Sequence, residues 1–424
     1  MIVVIVHGVV LLFVAWQLYR RQTTFKAVFW PALVFKLSCG VLVGWLYTHY
    51  YTEGDTVHYF RDAGLLADVA RKDFSAYLNI LFHPSATASG LQLTDPRAIF
   101  LTRIASVFDV LTQHNYWLIS AWFSFIGFLG AWYLVVTLRR LIPSVGVAAV
   151  VAFLFLPSAT FWSSGLIKET LAIAGLLFLA ALVVRLWSGE IVKVWEVALA
   201  VIACWMTWNL KYYYLAVFIP VAVTAILHRR VAEKLSAGWR IALWLLIFAA
   251  PLVVVSFLHP NFSPSRLLSV VVENNNVYQS LSDPGDYAAF EGLKPTVTSM
   301  LRHAPAALFA GLFRPMVWEA GNAVQWLAAA EHLVFAVLFI CAMGRWKVFR
   351  HSPYRWLVFG AVVYITILCV FLTLSAPNFG TLSRYRVGYI GFFALLVLSD
   401  NPTVAFVGRL LRKLARHSNA SYLY

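Results

Sequence analysis

The chain has 424 residues, 61% of them hydrophobic and only 12% charged, against roughly 25% charged in an ordinary globular domain. That composition excludes a soluble enzyme and describes a polytopic membrane protein without enough continuous polar sequence for a separate soluble domain. The net charge of +15 sits mostly in short loops between apolar runs, where it orients the chain and touches anionic lipid instead of serving nucleic acid.

Eleven apolar runs lie near the ~20 residues that cross a ~30 Å hydrocarbon core, at 2–18, 29–50, 116–137, 143–162, 166–184, 193–210, 212–228, 240–258, 324–343, 356–375 and 386–400. The first run lacks a basic leader and a small-residue cleavage site, so it reads as a retained span. Lys36, a turn or two inside the second run, is expected to snorkel inward. Cys39, Cys204, Cys341 and Cys369 fall within or beside apolar runs and never as CxxC; they read as small buried residues. The expected fold is an all-α polytopic membrane domain over 1–424, with short amphipathic helices in its external loops.

Charges sort sharply between alternate gaps. The gaps on one side hold 19 Lys+Arg against 4 acids, and those on the other hold 13 against 14. Loop cations favour the cytoplasm, so the first side is cytoplasmic: Arg20-Arg21, Arg139-Arg140, Arg185 with Lys193, Arg229-Arg230, Arg345/Lys347/Arg350/Arg355, and a basic tail over 409–424. An odd number of spans then puts the N-terminus outside and the C-terminus inside. Nearly every carboxylate faces outward, and chemistry that uses carboxylates is expected there, beside the bacterial cytoplasmic membrane.

Two external segments are long. Residues 51–115 include an amphipathic stretch, Ala63 to Ile80, that reads as helices lying on the membrane surface. Residues 259–323 open with Pro260, Pro264 and Asn274-Asn275-Asn276, pass Asp283-Pro284-Gly285-Asp286 and end at Arg314-Pro315. Loops of this length in a compact protein are usually functional or disordered.

The sharpest local motif is Thr52-Glu53-Gly54-Asp55-Thr56, where the second span meets water. Two carboxylates two residues apart, with Gly54 giving turn freedom, suit a division of labour in which one accepts a proton and the other orients the acceptor or a metal. His58, Tyr59, Arg61 and Asp62 follow as supporting polar groups. A solvated loop that ends a helix is the plain alternative for such a motif.

A second motif, Pro157-Ser158-Ala159-Thr160-Phe161-Trp162-Ser163-Ser164-Gly165-Leu166-Ile167-Lys168-Glu169, joins two spans by a tight external turn. Charged residues at membrane depth tend to mark function. Ser163 or Ser164 is expected to cap the following helix, whose first amides, with Lys168, would seat a phosphate. The alternative is an aromatic belt with a structural Lys168–Glu169 pair.

Three further external clusters carry cations: Asn209-Leu210-Lys211-Tyr212-Tyr213-Tyr214, Phe313-Arg314-Pro315-Met316-Val317-Trp318-Glu319 with Glu331-His332 beyond it, and Ser383-Arg384-Tyr385-Arg386. The aromatic residues alone are interface anchors. Lys168, Lys211, Arg314, Arg384 and Arg386 stand on the side where topology asks for no cations, and guanidinium forks suit phosphate oxygens. Together with Glu53 and Asp55 they describe transfer from a lipid-phosphate donor. A carboxylate takes the acceptor proton, the acceptor attacks the donor carbon, and cations meet the charge growing on the leaving phosphate. No Walker A, GxGxxG, HExxH or GxSxG motif occurs.

This arrangement resembles the C-type integral-membrane glycosyltransferases, whose acidic motif lies in the first large external loop. The resemblance implies a polyprenyl-phosphate-sugar donor, a glycan, lipid or protein acceptor, and Asp55 as the catalytic base with Glu53 assisting. A divalent cation, Mg or Mn, would sit on these two carboxylates in the members that use one. Arg384-Tyr385-Arg386 is similar to the RYR-type segment of some bacterial relatives, with donor-phosphate contact implied. The chain departs from the pattern in placing the acidic motif after its second span and in lacking a separate C-terminal soluble domain. An O-antigen-type polysaccharide polymerase, a lipid or sugar transporter and a non-catalytic scaffold are the competing readings.

Overall fold

The computed structural model describes residues 1–51, 54–83, 90–231, 235–258, 263–344 and 352–405. Glu53, Pro260, the cations Arg345, Lys347 and Arg350, and the basic tail 409–424 lie outside the described residues. Among the described residues every regular element is helical apart from an isolated bridge between Tyr287 and Asn378. Seven helices are long and apolar enough to cross a membrane, or eight if a pair bent by 68° counts as one span. An all-α polytopic membrane fold follows. The chain divides into two compact units, residues 1–141 with 153–216, and 142–152 with 217–424.

Unit 1 contains α1 (Ile2–Arg20), α2 (Lys26–His49), α3 (Asp55–Lys72), α4 (Phe74–Phe82), α5 (Pro96–Thr112), α6 (Tyr116–Leu141), α8 (Pro157–Phe161), α9 (Lys168–Trp187) and the first part of α10 (Val194–Val231). Small residues let its long helices approach closely: Gly130 of α6 lies against the Ala174 backbone of α9, and Gly175 of α9 lies against Ala203 and Thr207 of α10. Where lipid is as apolar as leucine, such close packing is a main source of helix association.

Helices are present between the second and third spans, where short ones were expected. Asp73 separates α3 from α4, and its carboxylate accepts the Ala76 amide at 2.9 Å as an N-cap. Apolar Ala63, Leu66 and Ala67 of α3 and Ala98, Leu101 and Ala105 of α5 are fully covered. Asp62, also buried, accepts the amides of Gln92 and Leu93 at 3.1 and 3.0 Å and so ties down the segment before α5. Asp109, buried in α5, is pushed up in pKa by burial despite the His114 ring at 3.2 Å.

Two expectations change. Residues 143–162 do not form one continuous span: a 3-10 turn (Pro143–Val145), α7 (Gly146–Val150) and a π turn (Val151–Phe155) stop at extended Leu156. Pro157 follows, which disfavours helix in the residue before it and has no amide to continue the ladder. Residues 193–210 and 212–228 keep the expected break: within α10 two helical stretches meet at a kink at Lys211, where φ is −149° and ψ is 65°. Lys36 does not snorkel. It is buried and donates to the Ser163 carbonyl and, at 2.7 Å, to the Ser163 hydroxyl.

Unit 2 contains α7, the rest of α10, α11 (Ala237–Leu258), α12 (Pro264–Ser280), α13 (Val297–Phe313), α14 (Ala323–Met343), α15 (Arg355–Ser375), α16 (Phe379–Tyr385) and α17 (Ile390–Leu398). Val271, Ala288, Phe290, Ala307, Ala310, Leu374 and Phe379 form a core from α12, α13, α15, α16 and the segment between α12 and α13. The asparagines expected in an external loop lie on α12. There Asn275 donates to the Leu374 carbonyl at 2.7 Å, satisfying a last-turn acceptor of α15.

Candidate functional site

Unit 1 brings Gly54, Asp55 and Thr56 of the acidic motif to the loop before α9. Gly54 is the N-cap of α3 and Asp55 its first-turn acid. Thr56, fully buried, donates to the Leu166 carbonyl at 2.8 Å and accepts from the Tyr116 hydroxyl at 3.0 Å. These two bonds fix the start of α3 against the residues that lead into α9. Gly165 makes the turn there: its φ of +77° favours glycine, and its amide donates to Ser124 Oγ at 2.9 Å.

The glycine of the acidic motif serves a different purpose from the one expected. Gly54 is extended, at φ −82° and ψ 147°, so it supplies no unusual backbone. It supplies room, because a Cβ there would enter the ring of Tyr47. Gly54→Ala is therefore expected to destabilise the protein by about 1–3 kcal/mol through overpacking, read as a lowered unfolding temperature in detergent. An unchanged or raised temperature would show that Tyr47 simply moves aside.

Lys168 opens α9 with its ammonium 3.2 Å from Asp95 Oδ2 and 5.6 Å from the centre of the Tyr59 ring. It lies within electrostatic reach of Asp55, Glu169 and Lys211 as well. Asp95 also meets Arg97 at 3.2 Å. Burial would raise the Asp95 carboxyl, but the charges and hydrogen bonds of Lys168 and Arg97 hold it below its ordinary value. Glu169, fully buried, pairs with Lys211 at 2.8 Å at the kink of α10. Ser163 and Ser164 do not cap α9, whose N-cap is Ile167. Their hydroxyls turn back to Ala159 and Thr160 carbonyls at 2.5 and 2.6 Å, at the end of α8.

The supporting residues fall around this cluster. Tyr59 is buried against Lys168. His58 donates from Nδ1 to Gln92 Oε1 at 3.2 Å, and Arg61 is exposed. Asp95 is the participant that sequence reading missed. Asp95-Pro96 reads as a helix start with proline at the first position, which absorbs the carboxylate into a structural role. Among the described residues no group of three or more His, Cys, Asp or Glu is placed to hold a metal.

No family model, curated protein or solved structure matches the chain. The chemistry of its side chains therefore carries the functional argument.

Unit 2 holds the other three expected cations. Arg314 grips Glu319 with Nε at 2.9 Å and a terminal nitrogen at 2.5 Å, and its guanidinium lies 5.1 Å from the Phe379 ring centre. Arg386, 1% exposed, donates to His332 Nε2 and, at 2.7 Å, to the Arg314 carbonyl. His332 is then the Nδ1–H tautomer, donating to the Pro315 carbonyl at 3.3 Å. Tyr389 donates to the Gly311 carbonyl at 2.8 Å. Arg386 and Tyr389 thus satisfy carbonyls at the end of α13, and the buried cation meets the negative pole of that helix. Arg384 is half-buried, Tyr385 meets Tyr278 at 3.3 Å between hydroxyls, and Trp318 is largely exposed.

Glu319 carries a pH prediction. Burial pushes its carboxyl up, but the Arg314 guanidinium and the Met316 amide at 2.7 Å hold it below its ordinary 4.5. A depressed folded pKa contributes stability that is present above 4.5 and lost as pH falls through the lower folded value. Between pH ~5 and ~3 the unfolding temperature of Glu319→Gln is expected to fall less steeply than that of wild type. Parallel curves would mean that Glu319 contributes nothing to the acid limb.

Proposed function

We propose that the chain is a membrane glycosyltransferase that moves a sugar from a polyprenyl-phosphate donor to a glycan, lipid or protein acceptor outside the cytoplasmic membrane. The observation that carries this reading is the placement of Asp55 in the first turn of α3, at the mouth of α2 and within electrostatic reach of Lys168. A proton acceptor and a phosphate-binding cation are the two groups such a transfer requires. Asp55 takes the proton of the acceptor hydroxyl, and that oxygen attacks the anomeric carbon of the donor. The bond from that carbon to the phosphate oxygen breaks, and Lys168 meets the charge left on the phosphate. A single displacement inverts the anomeric centre.

Of the remaining expected ligands, Lys211 is paired with Glu169 and Arg314 with Glu319, Arg386 donates to the Arg314 carbonyl, and Arg384 is half-buried in unit 2. The loop charge bias supports an outer-face position for the Asp55–Lys168 cluster and a cytoplasmic C-terminus.

The deciding experiment reconstitutes the protein in liposomes and follows labelled sugar from a panel of polyprenyl-phosphate donors, comparing wild type with Asp55→Asn. Transfer lost in the variant supports the assignment, and equal transfer in both removes Asp55 from the chemistry. Transfer only from pyrophosphate-linked oligosaccharides would favour the polymerase.

A further inference from the structure

The two lysines of unit 1 hold their carboxylates on different terms. Lys211 and Glu169 have side chains 3% and 0% exposed, and separating such a pair strands charge where nothing solvates it. Lys168 and Asp95 are 13% and 38% exposed. Water reaches that carboxylate, so the pair gains little by staying together.

Asp95 also has somewhere to go. Its Oδ1 lies 3.2 Å from Arg97 Nε while its Oδ2 lies 3.2 Å from Lys168 Nζ. The carboxylate can leave Lys168 without leaving cationic contact. It has in addition given up the ordinary duty of its position: Asp95 is the N-cap of α5, yet its side chain makes no capping bond. An aspartate there normally accepts an amide of the first turn. Its carboxylate is spent on Lys168 and Arg97 instead.

We propose that Asp95 is a displaceable counter-ion: it covers the Lys168 ammonium in the resting protein, and an anionic phosphate headgroup takes its place while Asp95 stays with Arg97. The proposal rests on Lys168 as the phosphate contact. It adds a selection step, because a neutral headgroup gains nothing by displacing a carboxylate. It also fixes where the phosphate arrives, on an ammonium that shares its field with Asp55. No covalent bond changes in this exchange.

The test uses the full-length protein in nanodiscs and farnesyl phosphate as a short isoprenyl-phosphate probe, with affinity read by calorimetry. Asp95→Asn is expected to bind about three- to fivefold tighter than wild type, the range set by removing a partly exposed competing ion pair. Lys168→Met is expected to lose binding, and Asp95→Asn with Lys168→Met to bind no tighter than Lys168→Met alone. Arg97→Gln is expected to weaken binding, since the carboxylate then leans harder on Lys168. A purely structural Asp95 would instead lower the unfolding temperature of Asp95→Asn and leave affinity equal or weaker. Unchanged or weaker affinity in Asp95→Asn, with binding lost in Lys168→Met, overturns the counter-ion and leaves Lys168 as the phosphate contact. Equal affinity in Lys168→Met and wild type, or no binding in any variant, overturns both.

Discussion

Lys211→Met is expected to destabilise the protein by about 3–5 kcal/mol, the loss typical when one partner of a buried ion pair is removed. The pair meets at 2.8 Å with side-chain exposures of 3% and 0%, so truncation leaves Glu169 charged and dry or forces it to take up a proton. Glu169→Gln should do comparable damage from the other side, because it strands the ammonium. The informative variant is the double one, Glu169→Gln with Lys211→Met. Neutral groups of similar volume leave no charge to solvate, and replacing a whole buried pair is often close to neutral. Recovery of most of the lost unfolding temperature in the double variant, measured in one detergent, is the expected result. A double variant as unstable as the sum of the singles would show that the two residues act through separate partners. The position of Lys211 sharpens the case. It is the one residue of α10 with non-helical backbone angles, so the ion pair also fixes where the long helix changes direction.

How much of this was legible beforehand differs from residue to residue. Most of the apolar runs were, because hydropathy and length are properties of the chain itself, although seven or eight helices among the described residues, and not eleven, are long and apolar enough to cross a membrane; the amphipathic stretch from Ala63 to Ile80 falls on α3 and α4. The break at Leu156 had its signal in Pro157. The kink of α10 at Lys211 had its signal in a charged residue between two apolar runs, whereas the Glu169 carboxylate that opposes it had none. Ser163 and Ser164 illustrate the same limit, since a serine before a helix signals a cap unless, as here, the helix behind it offers nearer carbonyls. Pairings across sequence, such as Lys168 with Asp95, leave no local trace. Local patterns announce which residues are polar at the membrane edge, and tertiary structure decides which of them neutralise one another.

Asp55→Asn is expected to lower sugar transfer by about 10²–10⁴-fold, the range of a positioned general base, while leaving the fold nearly untouched. The two readouts separate the functional role from the structural one. As the first-turn acid of α3, Asp55 interacts with the helix dipole for about 0.3–1 kcal/mol, and asparagine keeps its size and much of its tolerance for a helix start. A structural Asp55 would thus betray itself as a small loss of unfolding temperature with transfer intact. A catalytic Asp55 shows the reverse pattern, and donor binding should survive because in the proposed reaction the phosphate is held by Lys168. Lys168→Met should then divide from it in kind, losing donor binding together with transfer. If both variants lose donor binding equally, Asp55 is part of the binding surface and the proton must go elsewhere. The carboxylates within reach of Lys168 make that outcome concrete: Glu169 is sealed against Lys211, whereas Asp95 is open to water, so Asp95 would be the group to examine next.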